Sequence, residues 1–244
     1  MRIRVLLSLL LVAGSMVAGS CRLNVLRGEG NKTVISPTLS AFDAVEIDMT
    51  VKTTINIQPG VQPGVVINGY ENILKHIRTK VVRNKLRIYS DLDETWSLDN
   101  GDVTVTLSMP SLTGLTMSGA ADADIHGDVT GQEFKLNITG ASSIKMDKIS
   151  VDKFYVTVSG AGDVVVSGGA VKYAEYEING AGDLKAFPLQ ATETVATISG
   201  AGSSEVTALQ RLTANINGAG SIKYKGHPSV SQRVSGVGSI SDAN

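Results

Sequence analysis

Apolar and polar residues alternate with a period of two along most of this chain, and from Ser118 to Asn244 a recurring glycine phrase sets the phase. The phrase reads SGAAD at 118, TGASS at 139, SGAGD at 159, NGAGD at 179, SGAGS at 199, NGAGS at 217 and SGVGS at 235. Its first glycine (Gly119, Gly140, Gly160, Gly180, Gly200, Gly218, Gly236) returns after 21, 20, 20, 20, 18 and 18 residues. Self-similarity at that period is the signature of a solenoid. Two residues before the glycine stand Met117, Ile138, Val158, Ile178, Ile198, Ile216 and Val234. Four residues after it stand Ala123, Ile144, Val164, Leu184, Ser204, Ile222 and Ile240. Alternation on both sides of the glycine predicts strands. A glycine pair such as Gly160 and Gly162 marks a bend, because only glycine takes a positive φ without steric cost.

Each repeat therefore predicts one coil of strand, corner, strand and turn, about 20 residues long. Coils stacked at the strand spacing of roughly 4.8 Å would place backbone hydrogen bonds between neighbours and the β-branched column inside, so seven coils would make a rod of about 30 Å. The residue just before the glycine is always polar (Ser118, Thr139, Ser159, Asn179, Ser199, Asn217, Ser235), and this column is expected to form a hydrogen-bonded ladder. The residue just after it is alanine six times and then Val237, a column expected to let the corners sit close together. The fold class is all-β: a single-stranded β-helix or closely related solenoid with a divergent β-rich N-terminal part.

The front part, 41–117, lacks the phrase but keeps the strand pattern. Phe42 to Met49 and Val51 to Ile57 alternate, QPGVQPG at 58 to 64 is a turn, and Val65 to Gly69, Lys80 to Ser90 and Asp102 to Met109 read as further strands. Ile73, Leu74 and Ile77 in YENILKHI have helical spacing and predict one short helix. Asp91 to Gly101 is an acidic loop that carries the only tryptophan, Trp96.

Composition adds an export reading. Arg2 and Arg4, an apolar run from Val5 to Ala13 and small residues before Cys21 form a signal peptide over 1–20, too short in its apolar part to span a bilayer. Ala18-Gly19-Ser20-Cys21 resembles the lipobox of bacterial lipoproteins, with Ala18 where leucine is usual; that resemblance implies that Cys21, the only cysteine, is acylated. Such an anchor fixes a chain to a membrane rather than through it. Residues 21–40 then read as a tether and 118–244 as the solenoid repeats. Without residues 1–20 the basic count falls from 22 to 20 against 23 acidic residues, a net charge of −3, and nothing in the sequence suggests the clustered basic face expected of a nucleic-acid binder.

Candidate chemistry is sparse. His76, His126 and His227 are far apart in sequence, and no catalytic cysteine is available. His126 lies near Asp122, Asp124 and Asp128, and carboxylates on a solenoid face are similar to the acidic sites of β-helical polysaccharide lyases and hydrolases. The plainer reading of ADADIHGD is a solvated strand and turn with its polar side outward. The last position of the phrase is Asp122, Ser143, Asp163, Asp183, Ser203, Ser221 and Ser239, too few charged oxygens for ordered calcium. No metal or cofactor is expected. Tyr155, Tyr173, Tyr176 and Tyr224 are candidate stacking platforms, although Tyr176 shares its column with Leu115, Leu136 and Val156 and should point inward. Trp96 is a loop candidate for binding, with Asp122, Asp124 and His126.

Taken in order, the lipobox, the FDAVEID opening, VVINGYENILKHI leading to NKLRIYS, and the repeated S/N-G-A-G-D/S phrases resemble the family described as putative auto-transporter adhesin, head GIN domain, common among Bacteroidetes lipoproteins. The resemblance covers about residues 38 to 240 and implies a β-helix-like fold on the cell envelope. The expectation is a non-enzymatic outer-membrane lipoprotein with an adhesin-like role and a glycan or protein ligand. A carbohydrate-active enzyme and a structural spacer remain alternatives. Acidic residues just after the acylated cysteine are associated with surface display in such bacteria; Arg22-Leu23-Asn24-Val25 has none, which favours the periplasmic over the surface-exposed side. The polar SISDAN end of the last coil has no evident cap, so this end is expected to pair with a second copy or be shielded by a loop.

Overall fold

The computed structural model of the protein describes residues 24–93, 96–98 and 103–244; the expected signal peptide and Cys21 lie outside them. Strands β1 (Asn24–Leu26), β2 (Lys32–Ile35), β3 (Ala44–Asp48), β4 (Lys52–Ile57) and β5 (Gly64–Tyr70) precede helix α1 (Glu71–Leu74). Next come β6 (Ile77–Val82), β7 (Lys85–Ser90), β8 (Trp96–Leu98), β9 (Thr104–Met109) and β10 (Gly114–Gly119). The repeats supply β11 (Asp122–Gly140), β12 (Ser143–Gly160), β13 (Asp163–Val166), β14 (Gly169–Gly180), β15 (Asp183–Gly200) and β16 (Ser203–Gly218). The chain ends with β17 (Ser221–Lys225), β18 (Ser229–Gly236) and β19 (Ser239–Asp242). All but β1 and β8 belong to one 17-stranded sheet, wound as a β-solenoid.

Within the repeats every winding pairs parallel with the next, and the corner glycines stay in register. In the coil that closes at Gly160, three straight runs, 144–146, 148–151 and 153–160, lie over the matching runs of the coil before. Period-two alternation then decides what is inside. Residues at even distances before the corner glycine point inward, so Leu115, Leu136, Val156 and Tyr176 form one buried column and Met117, Ile138, Val158 and Ile178 another. Size is balanced between columns. Phe134 stacks on Phe154 with ring centroids 5.8 Å apart, and where Tyr176 meets Phe154 edge-on at 6.0 Å the neighbouring position is the small Ala174.

The corners continue the ladder. The amides of Ala161, Ala181 and Ala201 donate to the carbonyls of Gly140, Gly160 and Gly180, each at 2.9 Å. Holding that bond through a sharp bend puts the glycine at positive φ, +152° at Gly180, and a Cβ there would be driven into the Gly160 carbonyl oxygen. The close approach belongs to the glycines. The alanines after them point outward and are exposed, contrary to the packing role expected of that column. The ladder expected of the polar residues before the glycine is also displaced: in that column only Asn179 makes a side-chain hydrogen bond, sideways to Glu177 at 2.9 Å. The inter-coil bonds come instead from the residues after the corner. Asp122 Oδ1 accepts from the Ser143 amide at 3.1 Å, Asp163 Oδ1 from the Asp183 amide at 3.2 Å, and Asp183 Oδ1 from the Ser203 hydroxyl at 2.6 Å. Their side chains therefore reach the next coil rather than the turn's own amides. The shortening of the period from 20 to 18 residues is absorbed by register shifts between Ala186 and Gln190 and between Ala191 and Glu193.

The front part threads differently from the repeats. The strands β3 and β4 pair with β10 and β11 on one side and with β7 and β9 on the other, so the second front coil stacks outside the first. Antiparallel strands then cover it: β6 on β7, β5 on β9 and β2 on β5. The run from Lys80 to Ser90, expected as one strand, is broken by a two-residue hairpin at Arg83 and Asn84, whose φ of 50° and 61° fits a type I′ turn. The segment 21–40, expected as a tether, contributes β1 and β2. The short helix falls where its spacing placed it, and among the described residues no helix is long and apolar enough to cross a membrane.

Replacing Gly180 by Ala combines backbone strain with a carbonyl clash and is expected to lower stability by about 3 kcal/mol, a fall in melting temperature of roughly 6–12 °C for a chain of this size. Ala181→Ser, one residue on and exposed, should leave the melt unchanged. Thermal unfolding followed by circular dichroism checks both.

Candidate functional site

Because inner columns alternate with outer ones, each outward position of a coil stands about 4.8 Å from its counterpart in the next. The outer surface is a set of short columns whose members touch. Tyr155, five residues before Gly160, and Tyr173, seven before Gly180, both have outward parity, and the winding sets them side by side at 6.0 Å between ring centroids. Both are half-buried. Lys135 Nζ lies 5.6 Å from the Tyr155 ring centre and is held by Glu133 at 2.6 Å. The Tyr173 hydroxyl donates to Glu175 Oε2 at 2.8 Å. Lys153, Tyr155, Lys172, Tyr173 and Glu193 line a shallow depression of about 320 Å³. Around it, Lys172 pairs with Asp152 at 2.8 Å and Arg211 pairs with Glu193. Burial first, and then the hydrogen bond to Glu175, push the Tyr173 phenol up to about 12. The patch thus offers two aromatic rings and fixed charged groups of both signs to a ligand lying along the face.

The other candidates are scattered. Tyr176 is in the core, where burial raises its phenol pKa, and Tyr224 packs partly buried against the same core. Trp96 is 42% exposed on β8, which pairs parallel with β1, and it lines a separate cavity of about 190 Å³ with Asp48, Met49, Thr50, Ser90, Leu92 and Leu98. Asp122, Asp124 and His126 are all on the outward side of β11, but the winding draws each towards a neighbouring coil and away from the others. Asp122 accepts the Ser143 amide, Asp124 stands between Thr54 and Lys145, and His126 Nδ1 faces Asp147 Oδ2 at 3.2 Å. Asp128 binds Lys148 at 2.7 Å. The carboxylates needed for an acid–base pair are therefore spread along the sheet, each with its own partner or column neighbour. Among the described residues no three His, Cys, Asp or Glu side chains group closely enough to hold a metal ion.

Counting back from the corner glycine would have placed Tyr155 and Tyr173 on the outer face from sequence alone. Their joining with Lys135, Lys153, Lys172 and Glu193 depends on which coil stacks on which, and the strand pattern carries no signal for that ring of charges. An outward phenol between 10.0 and about 12 keeps its proton in the folded chain after the unfolded chain has lost it, so its contribution to stability is complete below pH 10.0 and is lost as pH rises to about 12. In a spectrophotometric tyrosinate titration, Tyr173→Phe should remove a late-titrating phenol. Glu175→Gln should lower its midpoint but leave it above the ordinary value, because burial is the larger cause.

Known proteins resemble most of the chain. Residues 41–228 match the family model described as "Putative auto-transporter adhesin, head GIN domain". Among solved structures, a putative adhesin from Bacteroides fragilis is similar with a TM-score of 0.82 and 24% identity over 89% of this chain and 100% of that one. A putative lipid binding protein from Parabacteroides distasonis superposes with a TM-score of 0.72 and 22% identity over 91% of this chain and 100% of its own. A putative adhesin from Parabacteroides merdae gives 0.69 and 21% over 91% of this chain and 100% of its own. These identities establish a shared fold. No curated protein matches the chain in sequence.

Proposed function

The chain belongs to the auto-transporter adhesin head GIN domain family, and from that membership we propose that it is a non-enzymatic, lipid-anchored binding rod of the bacterial cell envelope. The observation that carries the reading is the outer face at Tyr155 and Tyr173: two rings side by side, flanked by Lys153, Lys172 and Glu193, in an open depression. Aromatic faces cover the apolar side of a sugar ring, and neighbouring amines and carboxylates donate to and accept from its hydroxyls. The ligand class is an extended glycan lying across successive coils, since a solenoid face repeats its columns along its length. The Asp122, Asp124 and His126 face, where Asp122 and His126 are each paired with the next coil and Asp124 stands apart from both, supports a solvated surface over an acid–base site. Anchoring through Cys21, behind a cleaved signal peptide, would hold the rod at the outer membrane.

Two experiments test this. On a glycan array the purified protein should bind a subset of polysaccharides, and Tyr155→Ala or Tyr173→Ala should each weaken that binding about tenfold, the loss of about 1.4 kcal/mol of ring contact, with the melt little changed. Binding that survives both substitutions would remove the face from the proposal. In cell fractionation, Cys21→Ser should move the protein from the membrane to the soluble fraction and abolish fatty-acid labelling. Retention in the membrane would refute the anchor.

A further inference from the structure

The two ends of the solenoid are chemically unlike. At the front, β7 lies between β3 and the antiparallel β6, and β9 between β4 and the antiparallel β5. The covering strands carry Lys32, Arg78 and Lys80, charges that discourage further pairing at an edge. At the back, among the described residues β18 pairs only with β16 and β19 only with β17, which leaves one edge of each without a strand partner there. Every residue of β18 is exposed. Val230 and Val234, 39% and 43% exposed, stand in register over the buried Leu212 and Ile216, so they are core columns left open at the top. Gln232 stands between them over Ala214, and Ile240 lies partly buried over Ile222.

We propose that the open ends of two copies of this chain meet across a two-fold axis, with β18 of one antiparallel to β18 of the other and Gln232 opposite Gln232. A two-fold axis along the inward normal of that face reverses the strand direction but keeps both cores on the same side, so the sheet runs on from one copy to the next. The register follows from the inner positions. Opposing Gln232 to itself sets each Val230 against Val234, joining apolar to apolar and amide to amide. A one-residue slip turns the valines outward. A two-residue slip one way sets Arg233 against Arg233, and the other way sets Val234 against Pro228, which has no amide to donate. Because the front end is covered, the contact is isologous and closes at two copies rather than growing into a filament. An eight-residue strand is about 27 Å long; the coil end it belongs to offers on the order of 500 Å² per copy, or on the order of 1,000 Å² in all, near the threshold of a specific interface.

The full chain carrying Cys21→Ser, which removes both the acyl site and the native thiol, is the material for the test. Sedimentation velocity from about 1 to about 200 μM should show a reversible dimer, and Val230→Asp with Val234→Asp should raise its dissociation constant at least about tenfold with unchanged circular dichroism. Gln232→Cys should oxidise to a disulfide-linked dimer, since directly opposed residues lie about 4.5–5.5 Å apart, within disulfide reach. Val82→Cys, exposed at the covered end, should not. A chain that stays monomeric over the whole range overturns the proposal, as does a dimer indifferent to the two aspartates or one trapped as readily at Val82 as at Gln232. Should the aspartate variant fail to fold, the cysteine pair decides alone.

Discussion

The bond from the amide after each corner glycine to the glycine carbonyl one coil below carries the architecture. A parallel sheet made from one continuous chain must bend at every winding, and a bend ordinarily leaves buried backbone groups unpaired at considerable cost. Here the bend itself is hydrogen-bonded, from Ala141 on Gly119 through Val237 on Gly218. The geometry has one steric condition, that no Cβ stands where the lower carbonyl passes, and glycine at positive φ meets it. Once the corners are in register, the runs between them follow, and the inner columns close over one another without any long-range choice.

That arrangement separates stability from surface chemistry. The inner columns are set by packing, with aromatic and small residues traded between neighbouring positions, as where Ala174 makes room beside Tyr176. The outer columns are constrained only by their immediate neighbours. In-register stacking puts residue i beside a residue about 20 positions on, so like charges would repel; Asp128 meets Lys148, Asp152 meets Lys172 and Glu193 meets Arg211 instead. These exposed pairs add little stability one by one, but they fix the surroundings of the tyrosine pair. A binding face can thus be written on this scaffold by changing outward residues alone.

The ends break the one-dimensional logic. Each interior coil is satisfied by the coil above and the coil below, and a terminal coil has only one of these. At the front the chain solves this by folding back antiparallel strands and a single helical turn over the outermost winding. At the back, local devices serve in part: Asn244 bonds both the amide and the carbonyl of Gly226, and Asp242 accepts from Asn244. They do not reach β18.

The sequence by itself determined the winding. The spacing of Gly119 to Gly236, the β-branched positions two residues before each glycine and the inward parity of Tyr176 specify a coil and its core, because parallel stacking asks only for a repeat and a period of two. The same parity, counted back from the corner glycine, is enough to put Tyr155 and Tyr173 outside, although only Tyr176 is read that way from the sequence. Tertiary structure alone decided what lies between coils. The hairpin at Arg83 and Asn84 lacks the glycine that usually marks such a turn, and the front coil stacks out of chain order. His126 turns to Asp147 rather than to the aspartates beside it in sequence. Neighbours on a solenoid face are separated by a full winding of chain, so a surface site is assembled by stacking, and residues adjacent in sequence point to opposite sides.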